Sequence, residues 1–292
     1  MPEGQDRTPL YQAIHNERYS RQNLIKQIEE KTNRRLIVYF SNIFSPFGSI
    51  NRNDIAPFGD LLMDINKDVD LDLLIHSGGG DIDSAEKIVF MCRNKCRGFR
   101  VIIPQYAKSA ATLIALAADS IVMGYTSELG PIDPQISITL RDGKMLTRPA
   151  YSYLQGLKMI RDEIKSDPSF IQSYLPLLEQ LDPALLDYCN KSIERSKRFA
   201  YKWLCQYMFK GDTKKAATAA AKLNDVDKYI MHGVVIDSKE AKTELGLEVD
   251  ELSPDDLIWQ AFWRLYCQYE VDTRKLGVNK IFESNKVHLT LT

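Results

Sequence analysis

From residue 34 onward, compact apolar runs alternate with segments of helical spacing. RRLIVYFSN (34 to 42), LDLLIHS (71 to 77), FRVIIP (99 to 104) and SIVMG (120 to 124) read as strands. Helical patterns fall between them, from about Ser84 to Arg97 and from about Ser109 onward. Strand, loop and helix in repeated order predict an α/β core on a largely parallel sheet. Ahead of it, residues 17 to 32 form a polar helical pattern with a thin apolar stripe at Tyr19, Leu24, Ile25 and Ile28, suited to packing against a neighbour. After Pro149 the strand signals stop, and residues 150 to 223 hold several helical patterns. The clearest spans 184 to 209, with Leu185, Leu186, Cys189, Ile193, Phe199, Trp203, Leu204 and Met208 at helical spacing. Residues 229 to 249 return to the α/β pattern. Ser253-Pro254-Asp255-Asp256 then opens a helix carrying Trp259, Phe262, Trp263 and Tyr266, an aromatic face that suits either core burial or a subunit interface. The organisation expected is an N-terminal helical extension (1–33), an α/β core (34–149), a helical insertion (150–228), and a return to the core with a C-terminal helix (229–292).

With 292 residues, 44% of them hydrophobic and 26% charged, the chain can bury one large core plus a smaller satellite. A formal net charge of −1 offers no overall field for nucleic acid or an anionic membrane, so neither is expected as a partner. No run approaches the ~20 apolar residues of a membrane span, and MPEGQDRTPLYQ lacks the basic-then-apolar order of a secretory signal. The five cysteines are odd in number and spread from Cys92 to Cys267, which argues against a disulfide framework and for a reducing cytoplasm. Cys92 and Cys96 share a helical face without a second ligand pair, so they are expected to pack rather than to bind zinc.

Two small-residue turns follow strands. In Ser77-Gly78-Gly79-Gly80 the missing side chains let backbone N–H groups approach a ligand oxygen, although such turns are commonly structural. In Tyr106-Ala107-Lys108-Ser109-Ala110-Ala111-Thr112, Ser109 stands at a strand-to-helix turn, where helix N-terminal amides favour a developing oxyanion. An ordinary helix cap explains that serine equally well.

The segments IHSGGGDIDSAEKIV, PQYAKSAATLIALAADSIVMG and SELGPIDPQI, in this order and spacing, resemble the peptidases of the Clp and signal-peptide-peptidase superfamily, and within it the serine dehydrogenase proteinase branch. The resemblance covers about residues 35 to 136, returns at 229 to 249, and is thin elsewhere. It implies a Clp/crotonase-like core of ββα units with a helical insertion. By position, Ser109 matches the family's nucleophile, and Gly79 and Ala110 match the residues whose N–H groups form the oxyanion hole. Clp proteases carry their histidine on the segment after the nucleophile helix, where this chain reads Gly130-Pro131-Ile132-Asp133-Pro134. Their aspartate lies near a later motif, where HGVVIDSKEAKTELGLEV places His232. The resemblance thus implies the order Ser109, Asp133, His232, with the two partners exchanged.

Other bases stay open. Of four histidines, His15 and His288 lie near the termini, and His76, a strand residue before the glycine turn, suits a core position. A lysine base needs a desolvated amine. Lys158 in YLQGLKMIRDEI is the alternative base, Lys144 lies in the polar stretch LRDGKM, and Lys108 is expected to point from Ser109 to the surface. Asp133 equally suits a turn cap in GPIDPQ.

The expected activity is a serine endopeptidase acting on polypeptides without metal or cofactor, and without ATP by its own chain, since no phosphate-binding loop occurs. The resemblance also implies a homo-oligomer. Two rivals remain: an acyl-CoA-binding crotonase-like enzyme in which Ser109 is only a cap, and a catalytically inactive oligomeric scaffold.

Overall fold

The apolar runs form the central strands of one sheet in the computed structural model, which describes residues 8–139, 143–179, 181–225, 228–229 and 233–292. The strands are β1 (Arg35–Ser41), β2 (Leu71–His76), β3 (Phe99–Ile103), β4 (Tyr106–Ala107), β5 (Ser120–Met123), β6 (Glu128–Leu129), β7 (Gln135–Thr139), β8 (Met145–Pro149), β9 (Val249–Glu251), β10 (Lys280–Ser284) and β11 (His288–Leu291). Seven of them make a sheet in the order β11-β10-β1-β2-β3-β5-β9. β1, β2, β3, β5 and β9 run parallel, and β10 and β11 close one edge as an antiparallel hairpin. Parallel strands covered on both faces read as continuous apolar runs, because alternate side chains enter two different cores. In β1, Ile37 and Tyr39 enter one core, and Leu36, Val38 and Phe40 enter the other.

The helices are α1 (Pro9–Ile14), α2 (Asn16–Thr32), α3 (Ile55–Leu61), α4 (Ile82–Lys95), α5 (Ala110–Leu116), α6 (Ala150–Ser166), α7 (Ile171–Leu178), α8 (Pro183–Trp203), α9 (Thr213–Leu223), α10 (Ser238–Thr243) and α11 (Leu257–Leu276). The face with Ile37 and Tyr39 packs on α3, α4, α5 and the later part of the helical region. The opposite face is covered by α2, through Leu24, Ile25 and Ile28, and by α11, through Trp259, Phe262, Leu265, Tyr266 and Tyr269. Each fully enclosed Ile or Phe there contributes about 1.5–3 kcal/mol. The aromatic face of α11 is therefore spent on the sheet. Asp256 starts that helix by accepting from the Ile258 and Trp259 N–H groups, and Gly277, at φ 62, ends it.

Residues 150–228 divide in their packing. α6 and the start of α8 share a small separate cluster of Ile136, Ala150, Cys189 and Ile193, and α7 buries no residue. Phe199, Trp203, Leu204, Met208, Ala216, Ala219, Ala220 and Leu223 belong to the main core. The sequence reading ended the chain at a C-terminal helix; beyond it, β10 and β11 extend the sheet instead. Among the described residues no helix is long and apolar enough to cross a membrane. Cys92 and Cys96 are buried and unpaired, as packing residues are.

Candidate active site

At the C-terminal end of β2 the chain leaves the sheet through Ser77-Gly78-Gly79-Gly80. Ser77 still pairs with β4, donating from its N–H to Tyr106 O at 2.9 Å and accepting from Lys108 N at 3.1 Å. Asp81 then caps α4, its carboxylate accepting from the Asp83 and Ser84 amides. On the next strand over, β4 leads through Lys108 and Ser109 directly into α5. Ser109 adopts φ 52 and ψ −118, and its side chain does not cap the helix. The capping alternative therefore fails on geometry. A non-glycine residue at positive φ costs about 1–3 kcal/mol, and such strain persists where the surroundings impose it.

Those surroundings are the glycine turn. Gly79, at φ 97, lies so close that a Cβ there would sit 2.6 Å from Lys108 O and 2.7 Å from Ser109 Cβ. No other residue fits without displacing the serine. The Gly79 N–H donates to Ser77 Oγ at 3.1 Å, so it is already occupied. Ile50 pairs with the far side of the turn, donating from its N–H to Gly79 O and accepting from Asp81 N, each at 2.8 Å. The Gly79–Gly80 peptide is trans, so the Gly80 N–H points away from Ile50. Among the described residues neither the Gly80 nor the Ala110 N–H has a hydrogen-bond partner.

Lys108 is a correction to the sequence reading, which sent it to the surface. Its side chain is 2% exposed, and Nζ donates to Glu128 Oε2 at 3.0 Å, Leu129 O at 2.9 Å and Val234 O at 3.0 Å. Burial pulls the ammonium pKa below its ordinary value, with Glu128 opposing. The tail passes Gly130, where a Cβ would stand 2.4 Å from Lys108 Cδ. One ammonium thus ties the strand before Ser109 to the segment leading toward Asp133 and to the segment after residue 232. Leu129 and Ile236 join these last two through paired backbone hydrogen bonds of 2.9 and 3.0 Å.

Asp133 is 5% exposed in the loop between β6 and β7, where it accepts from Gln135 Nε2 at 2.9 Å. The loop is held from α8 and α9: Ser196 Oγ donates to Ile132 O at 2.6 Å, and Ile132 N donates to Leu223 O at 3.1 Å. His232 lies outside the described residues. Lys158 is exposed on α6, and Lys144 is exposed before β8. Neither position desolvates an amine as a lysine base requires.

His76 is the core histidine its strand position suggests, 1% exposed and stacked on Phe40 at 4.6 Å between ring centroids. Burial pushes its pKa down to about 3. In the unfolded chain an imidazole ionises near ~6.5, so below that pH the unfolded state takes up the proton first. Stability should fall as pH drops below ~6.5, by roughly 1.4 kcal/mol per unit, and the loss should stop growing near 3. Urea unfolding at pH 7 and pH 5 tests this. Wild type should lose about 2 kcal/mol more than His76→Phe over that interval, and equal losses would clear His76 of any part in acid sensitivity.

Several polar residues around the turn escaped the sequence reading. Tyr39, Asp54 and Lys280 are fully enclosed, and Lys280 Nζ lies 2.7 Å from Asp54 Oδ1. They are too far apart in sequence for any spacing pattern to pair them. Lys280 directly before the apolar pair Ile281-Phe282 was the one available signal.

A family model for ClpP-like SDH-type serine proteinases matches residues 9–278. Uncharacterized protein MJ0137 and Uncharacterized protein MJ1495 of Methanocaldococcus jannaschii are 32% and 31% identical over 65% and 64% of the chain. These matches span 57% and 54% of those proteins, so the chain covers little more than half the length of the curated relatives it matches. Among solved structures, a serine-to-alanine mutant of the 1510-N membrane-bound stomatin-specific protease is 15% identical, with a TM-score of 0.44 over 72% of this chain and 76% of that one. A lysine-to-alanine mutant of that protease, in complex with a substrate peptide, is 14% identical, with a TM-score of 0.41 over 84% and 83%.

Proposed function

Because the chain belongs to the ClpP-like SDH-type serine proteinase family, we propose that it is a serine endopeptidase whose nucleophile is Ser109. Ser109 Oγ attacks the carbonyl carbon of a peptide bond in a polypeptide substrate. His232 takes the hydroxyl proton and returns it to the leaving amine, and Asp133 holds the other imidazole nitrogen. Water then releases the acyl group by the same steps. The oxyanion is met by the N–H groups of Ala110 and Gly80. Gly80 takes the place first assigned to Gly79, whose N–H is spent on Ser77.

The observation that carries this reading is Ser109 itself. It is held at positive φ against a turn where only glycine fits, with a hydroxyl that makes no hydrogen bond among the described residues. Lys158, exposed on α6, has less to recommend it as base. The catalytic unit comprises residues 34–149 and 229–292. Within the N-terminal extension α2 covers one face of the sheet, and within the helical insertion α6 to α9 form a flank partly merged with the core. Lacking a nucleotide-binding motif, the chain works without ATP of its own. It acts as a homo-oligomer in the cytoplasm, a reducing compartment that suits five free cysteines.

Intact-mass measurement after incubation with a broad fluorophosphonate tests the proposal. Wild type should gain one adduct, Ser109→Ala none, and His232→Ala one formed far more slowly. Undiminished labelling of His232→Ala with loss in Lys158→Ala would move the base to the lysine. A wild type without adduct would sink the peptidase reading in favour of an acyl-CoA-binding enzyme or an inactive scaffold.

A further inference from the structure

Four enclosed polar side chains near Ser109 have no part in the proposed chemistry: Lys280 on β10, Asp54 before α3, Tyr39 on β1 and Ser77 after β2. Each is between 0% and 1% exposed. Burying an ammonium with a carboxylate is costly, and apolar residues of similar volume commonly stabilise a core as well or better. Fold stability alone gives little reason for the arrangement, whereas its place around the glycine turn gives a specific one.

Lys280 Nζ donates to Asp54 Oδ1 and to Ser49 O, each at 2.7 Å. Asp54 Oδ2 accepts from Tyr39 OH at 3.1 Å and from Asn51 N at 2.9 Å. Ser77 Oγ, at the turn itself, accepts from the Gly79 N–H at 3.1 Å.

The glycine turn is thus held at two places. Ser77 takes the Gly79 N–H. The Asp54 carboxylate, steadied by Tyr39, holds Asn51 N directly and Ser49 O through Lys280, fixing the residues on either side of Ile50. Ile50 in turn grips Gly79 O and the Asp81 N–H. The turn is restrained at both glycines, and its remaining amide, that of Gly80, points away from Ile50.

We infer that Lys280, Asp54, Tyr39 and Ser77 are positioning residues that fix the Gly79–Gly80 peptide and so aim the Gly80 N–H at the carbonyl oxygen that Ser109 activates. The inference rests on the peptidase reading. Deleting an oxyanion donor costs about 10²–10³ in kcat, and a donor left in place but loosened should cost less, about 10- to 100-fold.

Tyr39→Phe, nearly isosteric, and Ser77→Ala test this in the full chain, singly and together, with two readouts. Hydrogen exchange of the peptide containing Gly79 and Gly80 reports on the turn whatever the activity, and should accelerate at least about tenfold in each variant. With a fluorogenic casein, kcat should fall about 10- to 100-fold with KM within about twofold. The double variant should be at least as damaged as the worse single one. Unchanged exchange overturns the inference, and so does faster exchange with wild-type kcat. A wild type that hydrolyses no casein and takes no fluorophosphonate sinks the peptidase reading, and with it the purpose assigned to the turn. That outcome remains distinguishable, because exchange in the variants would still respond.

Discussion

Ser109→Ala should reduce peptide hydrolysis at least about a thousandfold while leaving urea unfolding unchanged within error. Removing the nucleophile ends the covalent route and leaves only what substrate binding and the oxyanion donors achieve. Stability should hold, because the lost hydroxyl has no hydrogen-bond partner among the described residues and alanine keeps the Cβ that packs on Gly79. Steady-state hydrolysis of a fluorogenic casein, run beside an unfolding curve, separates the two effects. Loss of activity with matching loss of stability would point to a disturbed turn. Retained hydrolysis would remove Ser109 from the chemistry altogether.

A second large effect is expected far from the site. Arg21→Met should destabilise the chain by about 3–5 kcal/mol, the usual result of breaking a buried ion pair from one side. Arg21 on α2 is 1% exposed; it pairs with Asp272 of α11 and donates from Nε to Glu283 Oε2 of β10 at 2.6 Å. Its guanidinium also lies 5.0 Å from the Tyr269 ring centroid, and the Tyr269 hydroxyl donates to Glu283 at 2.6 Å. Burial acts to raise the Glu283 pKa, but His288 and Arg21 outweigh it and leave the carboxyl below its ordinary value. Without Arg21, Asp272 loses its guanidinium partner and Glu283 is left with His288. The urea midpoint should drop sharply in Arg21→Met, and adding Glu283→Gln should recover part of the loss. A midpoint like that of wild type would mean that water reaches the two carboxylates.

The two strongest structural features of the site differ in how far residue order reveals them. Ser77-Gly78-Gly79-Gly80 and Ala107-Lys108-Ser109-Ala110 are local signals. A strand that ends in glycines and a small-residue turn before a helix have consequences a few residues long, so they can be read directly. Lys108 shows where that reading stops. Beside Ser109 and in a turn it suggests a surface lysine, yet acceptors from residues 128, 129 and 234 enclose its ammonium. Nothing near residue 108 announces a carbonyl 126 positions away.

By itself the sequence determined the α/β class, the parallel central strands, the helical region after Pro149 and the serine at a strand-to-helix turn. All of these follow from apolar periodicity and turn chemistry, which act over one element at a time. Tertiary structure alone decided that the α11 aromatics face the sheet, that KIFES and HLTL close its edge, and that the Gly79 N–H is taken by Ser77. It also decided the pairings of Lys280 with Asp54 and of Arg21 with Glu283, 226 and 262 residues apart. A buried charge takes its partner from whatever the completed fold brings within ~3 Å, and hydrogen-bond geometry carries no record of distance along the chain.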